Sequence, residues 1–100
     1  MKDPVIKLSK PYEFEGARIS EVDLSGIENL TAEDIFKAHQ ALTMQNHIAI
    51  QLESDPMYCK LIAAYASELP SEFFNKLSLK DFTKVKNKVS AYFFEQEKEE

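Results

Sequence analysis

Two histidines, one cysteine and a surplus of carboxylates are the groups in this 100-residue chain that could hold a metal or move a proton. His39 and His47 lie eight positions apart and Cys59 twelve further on, whereas ligands contributed by one helix face recur three or four positions apart. A helix break between the histidines separates them further, so no metal site and no cofactor is expected. His39 reads as a partly buried residue on a helix flank and His47 as a loop residue. A nucleophilic Cys59 needs an activating neighbour and an open pocket. It falls instead with Ala63 and Ala66 on a face of small residues suited to close packing. Glu33 and Asp34 fit the first turn of a helix, and Glu95, Glu97, Glu99 and Glu100 form a solvated tail, so no carboxylate sits where its pKa should rise. Gly16 and Gly26 are too far apart to cradle a phosphate. These patterns predict a protein that is not an enzyme.

Charge narrows the partners. The net charge of −5 opposes a polyanion, because neutralising phosphates drives nonspecific nucleic-acid binding. Lys80, Lys84 and Lys88 form an i, i+4 row that reads as the solvated face of a helix. Neither a run of signal-peptide type nor eighteen consecutive apolar residues occurs, so no nucleic-acid or membrane partner is expected and the protein is expected in the cytosol. One thiol leaves no internal disulfide, which fits a reducing compartment.

The aromatic residues carry more information. At about 100° per residue, Tyr92, Phe93 and Phe94 cannot share a direction, and with the stripe centred on Val89, Phe94 falls outside it. Phe36 has the same problem on the first helix, and Phe73 and Phe74 diverge. Two readings follow. Either the helices are covered on both sides, with single apolar residues left exposed, or Phe36, Phe73, Phe74 and Phe94 form a docking surface for an apolar helix of another protein.

The elements that position these residues are legible from period and punctuation. A chain of this length folds as one small domain that buries roughly 60 to 70% of the surface exposed by its unfolded form. Ile6, Leu8, Tyr12 and Phe14 alternate with polar residues, Glu15-Gly16 supplies a turn, and Ile19, Val22 and Leu24 return. The spacing predicts a β-hairpin over 5–24, with an irregularity near Glu21 and Pro11 on an edge or at a bulge. Thr31 as N-cap opens a helix over 32–46. Ile48, Ile50 and Leu52 alternate as in a short strand or extended segment. Asp55-Pro56 opens a second, central helix over 56–68, ended before Pro70. A short helix over 71–77 precedes a last one over 79–95, capped by Ser78 with Asp81 at N3 and buried through Phe82, Val85, Val89, Tyr92 and Phe93. The fold class is α+β, an N-terminal β-hairpin followed by a bundle of three to four helices. It forms a single domain over 1–94, with 95–100 as a charged, fraying tail.

Taken in order, Leu8 to Gly16, Ile19 to Leu24, Leu30 to Asp34, Tyr58 to Ser67 and Leu77 to Phe94 are similar to the tail assembly chaperones of long-tailed phages and prophages, especially versions from Gram-positive hosts. The charged tail after Phe94 departs from that pattern, since members often end in a short apolar, glycine-containing stretch. The resemblance implies a non-enzymatic protein that binds the tape-measure protein, keeps it soluble while tail tube subunits assemble, and acts in the host bacterial cytoplasm without entering the mature virion. It also implies a longer frameshifted form in many members, and a homo-oligomer is compatible with it. A structural tail or neck component retained in the particle is the competing expectation, and a small transcriptional regulator is disfavoured by the missing basic recognition helix.

Overall fold

The computed structural model describes residues 3–98, with side chains for 3–94. It is α+β. An antiparallel hairpin of β1 (Val5–Phe14) and β2 (Ala17–Asp23) is followed by a 3-10 turn (Ser25–Asn29), then helices α1 (Ala32–Met44), α2 (Pro56–Ser67), α3 (Ser71–Phe74) and α4 (Leu79–Lys98). Glu15 and Gly16 both take positive φ, 50° and 82°, which is the backbone of a two-residue hairpin loop matched to strand twist. Pairing runs from Phe14↔Ala17 to Tyr12↔Ile19, breaks, and resumes at Lys7↔Glu21 to end at Val5↔Asp23. The extra residues therefore lie on β1, and Pro11 sits among them, where its missing N–H interrupts no ladder bond.

The hairpin buries Ile6, Tyr12 and Val22 on one face, with Leu24 just beyond its end, against the helices. A two-stranded hairpin lacks independent stability in water, and this cover supplies it. α2 is the central element. Its cap is as expected from sequence, with the Tyr58 N–H donating to the Asp55 carboxylate at 3.0 Å and Pro56 in the first turn. Tyr58, Cys59, Leu61, Ile62, Ala63, Ala64 and Ala66 are all buried, so both faces are covered. α1 closes its start with the Thr31 N–H donating to Asp34 at 2.9 Å and buries Ala38 and Leu42.

Several local expectations change: the hairpin ends at Asp23 rather than 24 and α2 at Ser67 rather than 68, where Glu68 turns left-handed as the C-cap. α1 ends at Met44 rather than 46. Of the two readings of the stretch 48–52, the strand does not form; the segment is a loop that closes in a 3-10 turn, Leu52–Ser54. α3 is one turn, Ser71–Phe74, rather than a helix to 77. α4 continues to Lys98, past the expected end at 95, while residues 99–100 of the expected fraying tail lie outside the described residues. The 3-10 turn after the hairpin was not anticipated. Its Gly26 lies against α2 so closely that an added Cβ would collide with the Ala66 carbonyl oxygen.

Candidate functional site

The buried polar chemistry is concentrated at the start of α4. Ser78 caps the helix, its hydroxyl accepting from the Asp81 N–H at 3.2 Å. In a capping box the N3 carboxylate would reach back to the N-cap N–H. Here the Tyr12 hydroxyl takes that place, accepting from the Ser78 N–H at 3.1 Å and donating to Asp81 Oδ2 at 2.7 Å. The carboxylate is thereby freed to receive the Ser9 N–H at 3.0 Å and the Ser9 hydroxyl at 2.9 Å. Ser9 lies in the irregular stretch of β1, where its N–H has no ladder partner. Asp81 is fully buried. Burial works against its charge, but the hydrogen bonds from Tyr12 and Ser9, helped by Lys84 at 3.7 Å, outweigh it and hold the carboxyl below its ordinary range. The cluster ties the hairpin to α4 and is saturated by its own partners.

A second polar contact fixes the loop after α1. His47 Nε2 lies 2.8 and 3.0 Å from the two oxygens of Asp55, so the α2 cap also anchors the loop. His39, expected to be partly buried, is exposed. The Cys59 thiol is buried and donates to the Glu53 carbonyl at 3.5 Å. Burial pushes its pKa up to about 11, which disfavours the reactive thiolate. Among the described residues, no three His, Cys, Asp or Glu side chains are grouped to hold a metal ion, and no helix is long and apolar enough to cross a membrane.

The outward surface is where unspent chemistry lies. Of the four phenylalanines that the docking reading grouped, Phe73 and Phe74 are buried, 0% and 2% exposed, so neither stands out as a surface anchor, although the edge of Phe74 lines a groove. The physical reason lies in the hairpin tip. Tyr12 and Phe14 pack edge-on to the Phe73 ring at 6.2 and 5.7 Å, and Phe74 packs edge-on to it at 5.4 Å, so α3 is sandwiched rather than one-sided. Phe36 is 68% exposed, and Phe94 is partly exposed.

Phe36 has neighbours that the sequence did not assign to it. It lines a shallow groove with Ile35, His39, Gln40 and Thr43. His39 and Thr43 also line the adjoining groove, whose far side is Ile48, Ala49, Ile50 and Leu52. The two grooves form one strip along α1 and the loop behind it, in which Ile48 and Ile50 are almost wholly exposed. Met44, also exposed, ends α1 beside that loop. The alternation of Ile48 and Ile50 fits a short strand or an extended segment, and neither reading reports that both are presented to solvent. Phe94, on the last turns of α4, does not line this strip. A second groove lies between α2, α3 and α4, lined by Met57, Lys60, Phe74, Leu77, Leu79 and Phe82 among others, with Leu79 exposed at its lip.

The molecule is thus a small α+β domain in which, among the described residues, the buried polar side chains are satisfied and the charged surface is interrupted by apolar grooves. The protein family described as "Phage tail assembly chaperone proteins, E, or 41 or 14" matches residues 5–94, and the chain belongs to it. The match ends at Phe94, where the charged tail begins. Comparison with curated proteins and with solved structures returns no match.

Proposed function

We propose that this tail assembly chaperone binds the tape-measure protein, covers its apolar helical faces and keeps it soluble while the tail tube assembles, without catalysing a reaction. The observation that carries this reading is the strip along α1 and the following loop, in which the exposed side chains of Phe36, Ile48 and Ile50 flank two grooves that meet at His39 and Thr43. A long helical protein with apolar stripes self-associates unless those stripes are covered, and a helix lying in such a groove is a recurring mode of recognition. The net charge of −5 helps keep the complex dispersed. Non-catalytic action is supported by the inert Cys59 thiol and by Asp81 and His47, each committed to structural partners. Such a role belongs in the host cytoplasm and ends before the particle is complete.

Co-expression with the tape-measure protein tests this. Wild type raises the soluble tape-measure fraction, and the double variant Phe36→Ser, Ile50→Ser returns it to the level without chaperone while its own circular dichroism is unchanged. Tape-measure solubility indifferent to the wild-type protein overturns the proposal. Mass spectrometry of purified virions separates it from a retained tail or neck component, which would be present stoichiometrically.

A further inference from the structure

The groove between α2, α3 and α4 combines an apolar floor with a lysine in its lining. Its floor is apolar, built from Met57, Phe74, Leu77 and Phe82, and its lip is Leu79, which is 84% exposed. Leu77 and Phe82 are the N′ and N4 residues around the Ser78 cap, the positions of a hydrophobic staple, so the floor is preorganised by the helix start itself. Lys60, whose ammonium donates to Asn75 at 3.1 Å, lines the groove, and no carboxylate does. Lys76 and Lys80, both exposed, adjoin lining residues in sequence. From 74 to 94 the chain carries Lys76, Lys80, Lys84, Lys86 and Lys88 against the single carboxylate of Asp81, and that one is buried and bonded to the hairpin. On a protein of net charge −5, this apolar groove therefore has a lysine in its lining and two more next to lining residues in sequence.

We infer that this groove is a second docking site, and that its occupant is an apolar helix of the assembly partner flanked by glutamates or aspartates. The apolar face supplies contact with Met57, Leu79 and Phe82. The carboxylates complement the lysines and exclude segments flanked by basic residues, since charge across an interface sets partner choice more than raw affinity. The inference rests on the tail-assembly reading only for the source of the helix; the chemistry of the groove is independent of it.

The test uses the full chain, isotope-labelled, with two synthetic amphipathic helical peptides that share one leucine face and differ only in flanking glutamates or lysines. The glutamate peptide binds at least about tenfold more tightly at low salt, an advantage that shrinks as salt is raised, and shifts amide signals in 57–60 and 74–82. Leu79→Ser and the pair Lys60→Glu, Lys80→Glu each weaken it by about tenfold, the scale of losing an exposed apolar anchor or reversing two rim charges. The altered residues are partly or fully exposed, and urea unfolding confirms that each variant retains its stability. Equal affinity for the two peptides, shifts confined to the α1 strip, or a concentration-dependent mass showing that a second copy fills the groove overturns the inference. Failure of the tape-measure co-expression together with selective binding of the glutamate peptide sinks the proposed function and leaves the groove standing. Co-expression that succeeds while neither peptide binds does the reverse.

Discussion

At the scale of residues, Asp81 holds the largest stake. Its carboxylate is the common acceptor for a strand N–H, a serine hydroxyl and a tyrosine hydroxyl, which belong to parts of the chain about seventy positions away. Removing its charge leaves those donors facing a weaker acceptor, and hydrogen bonds to charged groups contribute about 1.5–3 kcal/mol. Asp81→Asn is expected to lower stability within that range, and Tyr12→Phe by about 1–2 kcal/mol, because the Ser78 N–H loses its acceptor as well. The two changes act on one network, so the double variant falls short of their sum by at least about 0.5 kcal/mol in urea unfolding. The folded-state pKa of Asp81 is lowered from 3.8, so the native protein gives up this proton more readily than the unfolded chain. Its contribution is complete above the unfolded pKa and is lost as pH falls through the folded one. Between pH 5 and about pH 2 the wild type therefore loses more stability than Asp81→Asn, and the two curves converge toward the acid end. Parallel curves would mean that the cluster carries no net charge effect.

At the scale of elements, Gly26 shows how a connection is made possible by a missing side chain. The 3-10 turn must pass the last turn of α2 at a distance that excludes a Cβ, because the Ala66 carbonyl already occupies the space. Gly26→Ala pushes backbone against backbone, with no flexible side chain to yield, and is expected to cost about 1–3 kcal/mol in thermal or urea unfolding. A neutral result would place the turn further from α2. This contact also marks the limit of what the sequence could tell. The hairpin was readable because Ile6, Leu8, Tyr12 and Phe14 keep period two to the Glu15-Gly16 turn, and α2 because Asp55-Pro56 is a strong local start. Those signals are local. Gly26 against Ala66, Asp81 against Ser9 and Phe73 under the hairpin tip are long-range, and no local rule reports them. Asp81 was read correctly as N3 of a capped helix, yet the cap left its carboxylate available to the strand. Of the candidate surface, Phe36 could be found from its angle on α1, while Ile48 and Ile50 were masked by an alternation that imitates a strand.

At the scale of the whole molecule, the apolar side chains divide between two tasks that composition cannot separate. Phe73 sits at the meeting of hairpin, α3 and α2, with three aromatic rings around it, and holds the two halves of the fold together. Phe36 is of the same type and touches little, being 68% exposed. Truncating a buried phenylalanine removes its transfer free energy and leaves a cavity, so Phe73→Ala is expected to lower stability by about 3–5 kcal/mol, a large share of the total for a domain of this size. Phe36→Ala, by contrast, is expected to shift stability by no more than about 0.5 kcal/mol. Their effects on tape-measure co-expression should be ordered differently from their effects on stability. On the proposed function, Phe36→Ala is expected to reduce tape-measure solubility while the chaperone itself stays folded, whereas any loss in Phe73→Ala is expected to track the unfolded fraction and to be recovered by lowering the temperature or adding a stabilising osmolyte. If Phe36→Ala destabilised the fold as much as Phe73→Ala, α1 would have to be covered in solution by something the isolated domain does not supply. If it altered neither stability nor solubilisation, the strip along α1 would be inert surface. The recognition face would then have to lie elsewhere, with the groove between α2, α3 and α4 the first place to look.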